Sequence, residues 1–217
     1  MGALSARDAL KTYERGAAAL VDIRQPGAFA KGHLKGTLNV PFSSRGIAQR
    51  IRTIAPGGKP IILVGDDAQK LQSAAEQVQA AGLTLAGTVE GTPEAWTRDR
   101  LPMQTLEEVS VHTLPERLKK EKSAFTVLDV REPMEWEMGH VPGAVLISLG
   151  ALRDHVQELD RSRPVLVICE AGIRSSGAAS ILQAAGFPTV ANVVEGTGGY
   201  RAAGYELQKY TPPDDEA

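Results

Sequence analysis

The chain contains the same stretch twice. Val21-Asp22-Ile23-Arg24-Gln25-Pro26, followed by Gly32-His33-Leu34-Lys35-Gly36, returns as Leu128-Asp129-Val130-Arg131-Glu132-Pro133, followed by Gly139-His140-Val141-Pro142-Gly143. Lys59-Pro60-Ile61-Ile62-Leu63-Val64 returns as Arg163-Pro164-Val165-Leu166-Val167-Ile168, and Val89-Glu90-Gly91-Thr92 as Val194-Glu195-Gly196-Thr197. Small shifts in the spacing between copies fall in loops, where insertions are tolerated. Four matches in one order make a duplicated unit the economical reading. A length of 217 residues then divides into two domains of ordinary size. The expected boundaries are 1–100 for the first copy, 101–107 for a linker and 108–210 for the second copy. Residues 211–217 (Thr211-Pro212-Pro213-Asp214-Asp215-Glu216-Ala217) read as a disordered acidic tail.

Each copy follows one plan. A capped helix comes first, marked by Ser5-x-x-Asp8 in one copy and Thr113-x-x-Glu116 in the other. A short apolar strand then ends in Asp-x-Arg, and a Pro turn leads to Gly-His. A second strand is expected over 37–40 or 144–147, and a helix over 47–54 or 152–159. A Pro-started buried strand, a loop, a helix ending at Gly82 or Gly186, and a last strand complete the unit. Strands alternating with helices imply an α/β fold: in each domain a mainly parallel sheet flanked by helices on both faces.

The single cysteine stands at the most informative place in that plan. Val165-Leu166-Val167-Ile168 reads as a buried strand, and Cys169-Glu170-Ala171-Gly172-Ile173-Arg174-Ser175 follows it. Ser175 and the small residues after it are expected to open a helix over 176–185. A thiol at a strand's carboxyl end would thus face a helix N-terminus, where free amides and the helix dipole favour an anion. Such a setting favours the thiolate, which is the nucleophilic form. Gly172 would let the loop curl so that its amides converge on the sulfur. The bland reading of Cys169 is a small interior hydrophobe, and that of Arg174 a solvated residue at a helix start. Against the latter, a cation beside the positive end of a helix suggests an anion nearby.

The first copy has Gly65-Asp66-Asp67-Ala68-Gln69-Lys70 at the corresponding loop. It offers no thiol, and two carboxylates would repel an anion. This copy is expected to be catalytically silent, serving as structure or as a solvated remnant of duplication. Because no second thiol exists, an adduct formed on Cys169 could not be resolved as an intramolecular disulfide. An external acceptor must take it, through a cleft open enough to admit one.

Other classes fall away. A net charge of −2 without a Lys/Arg run gives no sign of a nucleic-acid partner. No apolar stretch approaches the roughly 18 residues a membrane span needs. Residues 1–8 lack the apolar core of a secretion signal, and Ala6 stands where a myristoylation motif needs Ser or Thr. With a solitary cysteine, this sets an expectation of a cytoplasmic location. Four histidines without cysteine partners or close spacing imply no metal site, and no cofactor is expected. Oligomeric state is left open.

The second copy resembles a rhodanese domain. The resemblance rests on Leu128 to Ala144 as a front motif, Cys169 to Ser175 as an active-site loop, and Glu195-Gly196-Thr197-Gly198-Gly199-Tyr200 as a closing motif. The first copy resembles the same fold over residues 4–97, so the chain looks like a tandem rhodanese. That resemblance implies a sulfurtransferase moving sulfane sulfur through a Cys169 persulfide. The donor would be thiosulfate or another small anion, the acceptor cyanide or a thiol. The main chain of Glu170, Ala171, Gly172, Ile173 and Ser175 would line the substrate cradle, and the Arg174 fork would pair with a sulfonate or persulfide. A Glu170 side chain pointing inward would oppose the thiolate, so an outward, solvated position is expected. Asp129 and Arg131 are read as structural, pairing with each other or with loop amides; a substrate role for Arg131 is the other reading. His140 has a counterpart in His33, which points to shared architecture. Two rival functions are a sulfur-carrying or partner-binding module without turnover, and a Cys-loop phosphatase or arsenate reductase. The second resembles the same fold but places five residues between Cys and Arg. Four lie between Cys169 and Arg174.

Overall fold

The computed structural model describes residues 2–120 and 124–209; the tail expected at 211–217 lies outside the described residues. By packing, the chain forms two compact units, Met1–Glu107 with Ser176–Phe187, and Glu108–Ser175 with Pro188–Ala217.

The first unit runs α1 (Ala6–Glu14), β1 (Ala19–Asp22), α2 (Pro26–Lys31), β2 (His33–Leu34), β3 (Leu38–Asn39), α3 (Ile47–Ile54), β4 (Ile61–Gly65), α4 (Ala68–Ala80), β5 (Leu85–Glu90), α5 (Pro93–Arg98) and β6 (Met103–Gln104). Its main sheet has the order β3-β1-β4-β5, all parallel. Every residue of β4 is buried, as a strand covered by helices on both faces requires. Ile62 and Val64 join Leu10, Leu20, Val89 and Trp96 in one apolar cluster. In α3 the buried residues Ile47, Ala48, Ile51 and Ile54 keep helical spacing. Ser5 caps α1, accepting from the Asp8 N–H at 3.1 Å and donating to its carboxylate at 2.7 Å.

The second unit runs β7 (Glu107–Val109), α6 (Leu114–Lys120), β8 (Thr126–Asp129), α7 (Pro133–Glu137), β9 (Val145–Leu146), α8 (Leu152–His155), a 3₁₀ turn (Val156–Glu158), β10 (Val165–Ile168), α9 (Ile173–Ala184), β11 (Val190–Val193) and α10 (Gly196–Ala202). The sheet order is β7-β11-β10-β8-β9, with β10 parallel to both β8 and β11. Leu166 and Ile168 enter a cluster with Val111, Leu114, Val127, Val193 and Tyr200. Burying each such side chain contributes roughly 1.5–3 kcal/mol. Among the described residues no helix is long and apolar enough to cross a membrane.

α9 begins three residues ahead of the expected start. Gly172 turns the chain with φ +80°, so the helix opens at Ile173. Ser175 then lies in the first turn and is buried. Residues 176–187 group with the first unit, where Ser176 Oγ donates to Asn39 Oδ1 at 2.7 Å and the Asn39 N–H donates to Ser180 Oγ at 3.0 Å.

The repeated Asp-x-Arg is a repeated device. The Asp22 carboxylate accepts from the Arg24 N–H and guanidinium, and Arg24 also donates to the Gly32 carbonyl at 2.8 Å. Asp129, Arg131 and Gly139 do the same, the last bond being 2.9 Å. The following histidine stacks on an aromatic four residues earlier. His33 lies 3.7 Å from the Phe29 ring and His140 3.5 Å from Trp136.

Burial of His33 pushes its imidazole down to about 4 against the Phe29 carbonyl bond that opposes the shift. The neutral ring is therefore held in the folded state, while the unfolded chain takes up a proton below about pH 6.5. This stability is complete above that value and is lost as pH falls toward 4, by roughly 3 kcal/mol. Urea midpoints read from Trp96 should decline over this window in the native chain. In His33→Gln that part of the profile should flatten; an equally steep profile would remove His33 as the cause.

Candidate functional site

Cys169 follows β10 directly, at the carboxyl end of the central strand of its sheet. Its Sγ lies 3.3 Å from Ser175 Oγ. A hydroxyl that donates to sulfur stabilises the thiolate. The amides of Ile173, Arg174 and Ser175 open α9 and have no carbonyl one turn back within the helix. Together these groups make a setting for a sulfur anion.

The loop is held from behind. The Thr197 N–H donates to the Cys169 carbonyl at 2.8 Å and the Gly198 N–H to the Glu170 carbonyl at 3.0 Å. Asn192 Nδ2 donates to the Gly172 carbonyl at 3.1 Å. Gly172 is forced by space as well as by torsion: a Cβ there would lie 2.0 Å from the Val194 carbonyl oxygen. β11 and the start of α10 thus supply the scaffold on which the cysteine loop curls.

The predicted residues do not all stand where sequence placed them. Cys169 is 1 % exposed, whereas the sequence reading calls for a cleft open to an external acceptor. Ala171 and Ile173 are exposed, while Gly172 and Ser175 are buried. The Glu170 carboxylate, expected to be solvated, is instead bonded to neighbouring side chains. It accepts from Thr197 Oγ1 at 2.8 Å and from Arg201 at 2.8 Å. Asp129 and Arg131 meet each other in the interior, with Glu170 3.8 Å from the Arg131 guanidinium. His140 Nδ1 lies 3.2 Å from the Trp136 carbonyl oxygen, away from the cysteine loop in the hydrogen-bond pattern.

Arg174 shows the largest departure. Its guanidinium is not a free solvated group but forks onto Glu135, with both N–O distances 2.6 Å, while the side chain stays about one-third exposed. The Arg174 hydrogen bonds hold the Glu135 carboxyl down at about 2, with burial opposing. Glu135 raises the Arg174 guanidinium in turn, with burial opposing. Glu135 also accepts from the Glu132 N–H at 3.1 Å, closing the capping box of α7. Sequence reasoning gave no individual role to Glu135, Asn192, Thr197 or Arg201, although Glu135 and Thr197 lie within the front and closing motifs. A local cue existed for Glu135 alone, three residues after the cap position Glu132.

In the first unit the corresponding loop follows β4. There Asp67 Oδ1 accepts from the Gln69 and Lys70 N–H groups at 3.0 and 3.1 Å. The N-terminus of α4 therefore already holds a carboxylate from its own chain.

The model of the rhodanese-like domain matches residues 5–99 and again 110–203. Over 92 residues, 42 % of this chain, the sequence is 36 % identical to the "Putative sulfur carrier protein YrkF" of Bacillus subtilis (strain 168), and the match spans 49 % of that protein, about half its length. A rhodanese-related protein of Thermoplasma volcanium is 31 % identical, covering 48 % of this chain and 99 % of its own, with a TM-score of 0.44. A thiosulfate sulfurtransferase of Pseudomonas aeruginosa is 21 % identical over 97 % of this chain and 44 % of its own, with a TM-score of 0.42.

Proposed function

The chain belongs to the rhodanese family, and from that premise we propose that it is a sulfurtransferase working through a persulfide on Cys169. The observation that carries this reading is a lone buried thiol at the end of β10, 3.3 Å from a hydroxyl and against the first turn of α9. The Cys169 thiolate attacks the outer sulfur of the donor. The donor's S–S or S–SO₃ bond breaks, releasing a thiol or sulfite with the electron pair. Cys169 keeps the sulfur as a persulfide, and cyanide or an acceptor thiol then attacks that outer sulfur and restores the thiolate. Thiosulfate or a related persulfide serves as donor. The first copy takes no part in the chemistry: Gly65 stands at its strand end and Asp67 fills its helix N-terminus.

Intact-protein mass measurement after exposure to thiosulfate or cysteine persulfide tests the reading. The expected result is a gain of one sulfur atom that cyanide removes and that Cys169→Ala never acquires. Loading on the alanine variant, or none on the native chain with any donor, would refute it. A second reading, a sulfur carrier without turnover, is favoured by the 36 % identity over 92 residues to the "Putative sulfur carrier protein YrkF". Repeated thiocyanate formation per chain distinguishes the enzyme from the carrier.

A further inference from the structure

The guanidinium groups around the cysteine loop are matched by carboxylates. Arg131 is buried against Asp129, Arg201 donates to Glu170, and Arg174 forks onto Glu135. The rim therefore offers little net positive charge to a dianion meeting a thiolate, although the loop's sequence suggests a free arginine there. Of the three pairs, only Glu135–Arg174 couples the residue next to Ser175 to a carboxylate on another element. Both partners are about one-third exposed, with side-chain values of 34 % for Arg174 and 33 % for Glu135. The fork is therefore within reach of a donor at the rim.

Resting on the sulfur-transfer reading above, we propose that Glu135 sets donor specificity by masking the Arg174 guanidinium, so that the site disfavours dianionic thiosulfate relative to a persulfide of lower charge. A sulfonate must compete with a bidentate carboxylate already in place. A persulfide presents a small outer sulfur to Cys169 and gains less from a bare guanidinium, so the mask costs it less. The pair remains ionised well below neutral pH, because Arg174 holds Glu135 down at about 2, and the mask is accordingly in force under ordinary conditions. In either case the same bonds change: the S–S bond of the donor breaks as the Cys169–S bond forms, and sulfite or a thiol leaves.

Glu135→Gln tests this. Glutamine keeps an acceptor for the Glu132 N–H and removes the charge. Rates of single sulfur loading on Cys169 are compared for thiosulfate and cysteine persulfide, together with thiosulfate affinity measured by calorimetry on a Cys169→Ser background. The ratio of thiosulfate to persulfide rates should rise about five-fold, the scale of one partly exposed ion pair, and thiosulfate affinity should rise with it. In Arg174→Met the same Glu135→Gln change should leave the ratio where Arg174→Met alone puts it, a result that loss of a helix cap could not produce. Glu135→Asp, which keeps the charge one methylene further back, should give an intermediate ratio and serves if the glutamine variant folds poorly. An unmoved ratio and affinity, or a shift that persists without Arg174, would overturn the proposal. Absence of loading from both donors in the native chain would instead refute sulfur transfer, and the calorimetric arm would still decide whether Glu135 masks Arg174.

Discussion

Replacing Gly172 by alanine is expected to destabilise the second unit by about 3–5 kcal/mol and to slow sulfur loading on Cys169 about 100-fold. Two separate costs add. The backbone holds φ +80°, a left-handed conformation that costs an L-residue with a side chain about 1–2 kcal/mol. The new Cβ would also lie 2.0 Å from the Val194 oxygen and 2.8 Å from its carbonyl carbon. Those are main-chain atoms, which cannot swing aside as the tip of a side chain can. Relief requires the loop to lift from β11, and the Asn192 bond to the Gly172 carbonyl goes with it. Cys169 and Ser175 sit on either side of that displacement, so the 3.3 Å Sγ–Oγ contact cannot survive unchanged. Gly204 supplies the control. It has the same φ of +80° but nothing within 4 Å of its virtual Cβ, so Gly204→Ala isolates the torsional cost at about 1 kcal/mol. Urea midpoints of both variants and loading rates from cysteine persulfide provide the measurements. Equal destabilisation by the two substitutions would mean that the loop does not need the close approach to β11.

This contrast marks what could be read from sequence and what could not. The duplication, the buried strand before Cys169 and the apolar face of α3 are local or periodic signals, and periodicity is imposed by the geometry of each element. Ser5 announced its helix because a cap bonds within three residues. Ser175 misled for the same reason: its hydroxyl looks like a cap, yet it faces the Cys169 sulfur. The Arg174–Glu135 fork joins residues 39 apart, and no spacing rule links a loop arginine to a helix that far upstream. Thr197 and Asn192 reach the loop from 28 and 20 residues away. A motif can show that a loop is crowded with small residues; only the packing of β11 and α10 behind it shows which carbonyls they hold.

Removing the Asp129 carboxylate is the other change with a large expected effect, about 3–5 kcal/mol for Asp129→Ala. The Asp129 and Arg131 side chains are 0 % and 3 % exposed. Deletion of the acid strands a guanidinium in the interior, where desolvation is no longer offset by its partner. The pair itself need not add stability over apolar residues of similar size. Replacing both, as Asp129→Leu with Arg131→Met, should recover most of the loss seen in Asp129→Ala. What the double variant cannot recover is the 2.9 Å bond from Arg131 to the Gly139 carbonyl, which ties the end of β8 to the turn before His140. On this argument the pair specifies the turn more than it stabilises the unit. The first copy offers a repeat of the experiment: Asp22 and Arg24 have the same bonds, with Gly32 in the place of Gly139. Asp22→Ala should therefore cost about as much as Asp129→Ala, read from Trp96 for the first unit and from Trp136 for the second. If Asp129→Ala costs less than about 1 kcal/mol, or if the double variant is no more stable than the single one, stranding of charge is not what makes this pair indispensable.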